Sequence, residues 1–194
     1  EIIQDDIRLM QEQIAHCKTT LHSMMRRADA IRNDQQRQLL VADFLDNIRN
    51  QFNLLNPACC LELPEKISET LRITVDETLD QALLNLLDNA AKASQANPNI
   101  AVQNTLNEVC IKIIDTGPGV ADKVQQQLGQ PFVSSRDKNE GMGLGLFLSN
   151  ATINRFGGRL ALFNSKAGTV TEVWLPLVKT LASPDINNHH KADE

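Results

Sequence analysis

Three short stretches carry side chains whose types and spacing suit ligand chemistry. In "LLNLLDNAAKAS" (83–94), Asn85, Asn89 and Lys92 are three and four residues apart, so a helix gathers them on one face. Leu79, Leu83, Leu86, Leu87 and Ala90 fall on a different face at helical spacing. A solvated face is usually built from Glu, Lys and Arg, because asparagine is a mediocre helix former. Two carboxamides one turn apart therefore read either as ligands or as an ordinary polar helix back. In "DTGPGV" (115–120), Gly117 and Gly119 permit a tight turn and close backbone approach. Asp115 ends a β-rich run, where its carboxylate can accept from an exocyclic amine such as that of adenine; a common D-x-G turn is the alternative. In "GMGLGLFLSN" (141–150), Gly141, Gly143 and Gly145 alternate just ahead of a helix, whose N-terminal N–H groups favour phosphate. This last pattern is neither a Walker A loop nor a dinucleotide fingerprint.

These stretches need elements to hold them. Helical spacing in "LLVADFLDNIRNQFNLL" ends at Asn56-Pro57, and a second helix covers 76–95. "CCLEL" and "LRITV" read as short strands, and "IAVQNTL" and "VCIKIID" as a hairpin turning at Asn107-Glu108. Residues 144–156 read as helix, followed by the strands "RLALF" and "TEVWLPL". The mixture lacks regular βαβ alternation, which predicts a two-layer α/β sandwich with helices on one face of a mixed sheet. Ahead of it, Ile3, Ile7, Met10, Ile14, Cys17, Leu21, Met24, Ala28 and Ile31 form a heptad seam over about four repeats. That seam predicts a long bundle helix, roughly 45 Å in length, needing a neighbouring helix or a dimer partner. The predicted organisation is a bundle helix at 1–33, a globular domain at 34–180 with a polar hinge near 32–38, and a loose polar tail at 181–194.

Composition narrows the classes. The 194 residues are 42% hydrophobic and 22% charged, with net charge −5 from 19 basic and 24 acidic side chains. No basic patch with interleaved aromatics suits nucleic acid, and no apolar run approaches the ~18 residues of a membrane span. Cys17, Cys59, Cys60 and Cys110 show no zinc spacing and no readable disulfide framework, which fits a reducing cytoplasm. His189-His190 lies in the polar tail and reads as solvated. The chain starts inside a helical pattern without Met or cap, so upstream domains, membrane spans included, are expected.

Taken together, the order Asn-x-x-x-Asn-Ala-x-Lys, then D-x-G-x-G, then G-x-G-x-G resembles the ATP-binding core shared by histidine kinases, gyrase-type ATPases, Hsp90 chaperones and MutL proteins. There the three segments are the N, G1 and G2 boxes. "QPFVSS" fits the F box at Phe132, and "AGTVTEVWLP" fits the closing strand with Gly168 and Thr169 at its turn. The resemblance covers roughly residues 36–178 and implies the Bergerat-type fold with ATP and Mg²⁺ as cofactors. It implies that Asn89 offers its amide oxygen to Mg²⁺, that Asn85 supports the metal or its water, and that Lys92 faces the phosphates. It implies that Asp115 reads the adenine amino group with help from Thr169, on a turn shaped by Gly117 and Gly119. Gly141, Gly143, Leu144 and Gly145 would line the triphosphate, below a lid at about 123–140 in which Arg136 and Lys138 are candidate γ-phosphate contacts.

Position 85 and the heptad seam select among the branches. Hydrolysing members commonly carry Glu where this chain has Asn85, and a carboxamide cannot serve as a base near neutral pH. Residues 1–32 resemble the second helix of the histidine-kinase hairpin, which dimerises as a four-helix bundle and bears the phosphoaccepting histidine. No H box is present, and His16 and His22 do not fit that role, so the acceptor histidine is expected upstream. The resemblance implies a sensor histidine kinase that passes its phosphoryl group to a response regulator, forms a homodimer through the bundle and lies in the cytoplasm below an inner membrane. The alternatives are an Hsp90- or MutL-like ATP-driven switch and an anti-sigma-type serine kinase. "IRLMQEQIAHCKTTL" and "GMGLGLFLSNATINRFGG" are further similar to RegB/PrrB-type redox-responding kinases, making Cys17 a redox candidate; as a seam residue it is equally a small buried apolar group.

Overall fold

The structure, a computed structural model, describes residues 36–94, 97–120 and 144–178. The heptad stretch with His16, Cys17 and His22, the segment holding Phe132, Arg136, Lys138, Gly141 and Gly143, and the polar tail lie outside the described residues. In chain order the elements are β1 (Arg37–Leu40), α1 (Val41–Leu55), β2 (Arg72–Val75), α2 (Glu77–Ala93), β3 (Asn99–Asn104), β4 (Glu108–Ile114), α3 (Leu144–Arg155), β5 (Arg159–Asn164) and β6 (Thr169–Pro176).

β3, β4, β6 and β5 lie side by side in that order as an antiparallel sheet, while β1 and β2 pair antiparallel in a separate two-stranded ribbon. Alternation along β4 sends Val109, Ile111 and Ile113 inward and Cys110, Lys112 and Ile114 to the opposite face. Val173 and Leu175 of β6 and Leu160 of β5 complete the inner face. Over it lie the apolar stripes of α1 (Val41, Phe44, Leu45, Ile48, Phe52) and α2 (Leu79, Leu83, Leu86, Leu87, Ala90). Each such large side chain contributes about 1.5–3 kcal/mol by leaving water. The result is the two-layer sandwich expected from the sequence.

The outer face of the sheet is polar. Lys112 and Glu172, cross-strand partners, form an ion pair at 2.8 Å, and the Trp174 indole donates to Glu172 at 3.0 Å. The Arg159 guanidinium stacks 4.3 Å from the centre of the Trp174 ring and pairs with Glu108. Cys110, opposite Trp174, is fully buried, and burial pushes its thiol up to about 11, so it stays protonated and inert.

Three local expectations change. Arg37–Leu40, read as the end of a polar hinge and the start of a helix, is instead strand β1, whose ladder with β2 takes up its backbone groups, and α1 begins only at Val41. "CCLEL" is not a full strand: Leu61 is buried with its N–H held by the Asn53 side chain, and only Glu62 bridges, parallel to Asn99 of β3. Pro64 follows and has no N–H with which to extend a ladder. The hairpin also turns earlier than expected. Thr105 donates its N–H to the Glu108 carbonyl at 2.8 Å and accepts the Glu108 N–H on its hydroxyl, so Glu108 already belongs to β4.

Candidate functional site

Helix α2 carries the asparagines, and its N-terminus is anchored by side chains the sequence reading did not single out. Asp76 caps it, accepting from the N–H groups of Thr78 and Leu79 at 2.8 and 3.1 Å. The other carboxylate oxygen of Asp76 takes a hydrogen bond from Arg155, the last residue of α3, at 2.8 Å; Arg155 also contacts the Thr78 hydroxyl. Burial alone would raise the Asp76 pKa, but the hydrogen bonds from Thr78, Arg155 and Leu79 and the Arg155 charge together hold it below the usual value. Halfway along the pair, the buried Ser149 hydroxyl donates to the Ala82 carbonyl at 3.2 Å. At the far end, a Cβ placed on Gly145 would stand 3.9 Å from the Asn89 amide nitrogen. Residues 76 with 155, 82 with 149 and 89 with 145 thus define an antiparallel helix pair. Its register brings the start of α3 beside the asparagine face.

On that face Asn85 is half-buried and accepts from Gln81 at 3.3 Å, while Asn89 is exposed. Lys92 forms an i,i+4 ion pair with Asp88 at 2.5 Å, the two side chains being 59% and 38% exposed. Such a surface pair contributes little, so Lys92 can exchange Asp88 for an arriving anion at small cost.

The turn 115–120 packs against the C-terminal end of the same helix. Asp115 is buried at the end of β4, and its Oδ1 accepts from Gly117 N–H at 2.8 Å and Thr169 N–H at 3.0 Å. Its main-chain N–H donates to the Thr169 carbonyl at 3.0 Å. Among the described residues none donates to Oδ2. Two glycines are required by close approach. A Cβ on Gly117 would lie 2.6 Å from the Ala93 carbonyl oxygen, and one on Gly168 would lie 2.3 Å from the Asp115 carbonyl oxygen. Gly168 moreover has φ +152°, which side chains rarely adopt. Thr169 is buried at the turn.

Of the residues selected from sequence, Asn85, Asn89, Lys92, Asp115, Gly117, Gly119, Gly145 and Thr169 therefore lie around the C-terminal half of α2, with Leu144 at the start of α3. The Asp76–Thr78–Arg155 cluster was missed. Its cap was legible as Asp-x-Thr ahead of an apolar periodic run, whereas Arg155 was not, standing 79 positions away.

A family model described as "Histidine kinase-, DNA gyrase B-, and HSP90-like ATPase" matches residues 74–179, and the chain belongs to this ATP-binding family. Among curated relatives it is similar to the C4-dicarboxylate transport sensor protein DctB of Rhizobium meliloti, 32% identical over 130 residues, covering 65% of this chain and 20% of that protein. It is also similar to the sensor histidine kinase RegB of Cereibacter sphaeroides, 28% identical over 189 residues, covering 84% of this chain and 37% of RegB. The chain thus spans between a fifth and two fifths of these relatives. Among solved structures, the mycobacterial sensor histidine kinase MprB superposes with a TM-score of 0.61 at 23% identity, covering 73% of this chain and 97% of that one, a likeness of fold. Among the described residues no helix is long and apolar enough to cross a membrane.

Proposed function

We propose that this chain is the ATP-binding catalytic part of a sensor histidine kinase, transferring the γ-phosphoryl group of ATP to a histidine upstream of it, for onward transfer to a response-regulator aspartate. The observation that carries the reading is the convergence of Asn89, Gly145 and the Asp115 turn on one end of α2. Asp115, with Oδ1 already committed to two backbone N–H groups, offers Oδ2 to the amino group of adenine. The half-buried and exposed carboxamides of Asn85 and Asn89 are hard oxygen donors, and the backbone at Gly145 approaches Asn89, a Cβ there standing 3.9 Å from its amide nitrogen. These features fit Mg²⁺ held by Asn89 with support from Asn85; when bound, the metal neutralises charge on the transferring phosphoryl group. Lys92 adds a cation, and the N-terminus of α3 offers backbone N–H groups of the kind that favour phosphate.

Transfer is favoured over hydrolysis because Asn85 has no basicity near neutral pH and cannot activate water. An ATP-driven switch would instead show steady-state ATP hydrolysis by this chain. The relatives named sensor kinases support a homodimeric, cytoplasmic kinase served by a response regulator, with the heptad helix contributing to the dimer bundle. In that setting Cys17 is the redox candidate; a Cys17→Ala kinase that still responds fully to oxidant removes the role.

The test of the site is Asp115→Asn. The substitution keeps an Oδ1 acceptor for Gly117 and Thr169 but replaces Oδ2 with a donor. Mg-ATP affinity should fall by about 30–150-fold, the worth of a hydrogen bond to a charged group (~2–3 kcal/mol). Phosphorylation of a separately supplied histidine-bearing helical hairpin should fall with it. Undiminished binding by this variant would refute the assignment.

A further inference from the structure

The turn 115–120 is fastened from both flanks by side chains that the nucleotide reading leaves unused. On one flank Asn164, the last residue of β5, accepts the Val120 N–H on Oδ1 at 2.8 Å and donates from Nδ2 to the Val120 carbonyl at 2.9 Å. One carboxamide thereby supplies the exchanged pair of bonds that a neighbouring strand would make. The latch and Gly119 fit each other: Gly119 has φ +87°, and a Cβ there would stand 2.9 Å from Asn164 Oδ1. On the other flank Ser94, the residue that ends α2, accepts the Thr116 N–H at 3.0 Å and shares a 2.6 Å hydroxyl–hydroxyl bond with Thr116. Ser94 is itself fixed by its N–H bond to the Ala90 carbonyl at 3.1 Å.

Without these ties the turn would have to be ordered by the ligand. Fixing one residue's backbone costs roughly 1–2 kcal/mol, and a segment with two glycines has more freedom than most to lose. A turn ordered in advance by protein side chains moves that cost from binding to folding. We propose that Asn164 and Ser94 are positioning residues for base recognition: they clamp residues 116 and 120 on either side of the turn, so that the Asp115 carboxylate meets the base already in place. Neither residue touches the nucleotide in this account, and the inference rests on the reading of Asp115 given above. Because the clamp acts at the base end, its loss weakens ligands sharing that base equally, whatever the number of phosphates.

The experiment titrates the 194-residue chain with ATP and with ADP, each with Mg²⁺, by calorimetry, alongside thermal melting and amide exchange at Thr116 and Val120. Asn164→Ala and Ser94→Ala should each weaken ATP and ADP by the same factor, about tenfold, for the loss of two bonds. Tm should stay within a degree or two of the parent, and exchange should rise at the amide each side chain holds. Ser94→Thr keeps the hydroxyl and should restore binding. Asn164→Asp keeps the acceptor for the Val120 N–H but loses the donor, and should fall between parent and alanine variant. ATP and ADP affinities within twofold of the parent in both alanine variants would overturn the clamp, as would a loss confined to ATP, or a loss that follows a lowered Tm and is not rescued by Ser94→Thr. Asp115→Asn separates the two levels. If it binds nucleotide as tightly as the parent, the function assignment fails; if its affinity falls while the clamp variants bind normally, only the clamp fails.

Discussion

At the N-terminal end of α2, Asp76, Thr78 and Arg155 form a part-buried, mutually hydrogen-bonded cluster; at the C-terminal end, Asn89 and Lys92 are exposed. Both ends belong to one helix with one continuous apolar stripe. The difference lies in what each end is for. A buried ion pair stabilises only when every partner is in place, and removing one side strands the other, so the first end sets the register of α2 against α3. The second end keeps its polar side chains at the surface, where exchanging one partner for another costs little. Stability and binding are thus separated along about four turns of helix.

Breaking the first end should give the largest effect. Arg155→Met leaves the Asp76 carboxylate buried without its cation and should lower unfolding free energy by about 3–5 kcal/mol, read from the urea midpoint. A loss below ~1 kcal/mol would mean that the cap alone holds the helix start. Breaking the second end should do the converse. Asn89→Ala is expected to weaken Mg-ATP by about 10–100-fold, in the range found for groups that tune a metal site. Its melting temperature should be unchanged or slightly higher, because alanine is the better helix former at an exposed position. A clear fall in Tm would erase the contrast.

Acid sharpens it further. The folded Asp76 pKa lies below its ordinary value of 3.8, so its contribution is fully present above that pH and is lost as pH falls through the lower, folded value. The gap in urea midpoint between parent and Asp76→Asn should therefore be widest at neutral pH and narrow below about 3.8; a gap of constant size down to pH 2.5 would contradict the ionic role. The smallest effect is expected from Lys92→Ala. With both members of its ion pair exposed, the change in stability should stay within about 0.5 kcal/mol, while any loss in Mg-ATP affinity reports its contact with phosphate.

The asparagine helix, the β4 alternation and the glycine turn were legible because each writes its own period or steric need into consecutive residues. Leu79, Leu83, Leu86, Leu87 and Ala90 do form the buried stripe, and Val109, Ile111 and Ile113 the inward face. The hairpin turn was misplaced because the Thr105 hydroxyl holds the Glu108 N–H, drawing Glu108 into the strand. "CCLEL" looked like a strand by composition, but its backbone bonds were claimed by Asn53 and by a single bridge.

By itself the sequence determined which residues could form elements and which chemistry they carried, since helix and strand periods and glycine's freedom are local properties. Only the tertiary structure decided that Arg155 meets Asp76 across 79 residues, that Asn164 grips Val120 across 44, and that Gly145 faces Asn89. Those contacts depend on how separate layers pack, and packing selects one pairing among many that the local pattern permits equally well.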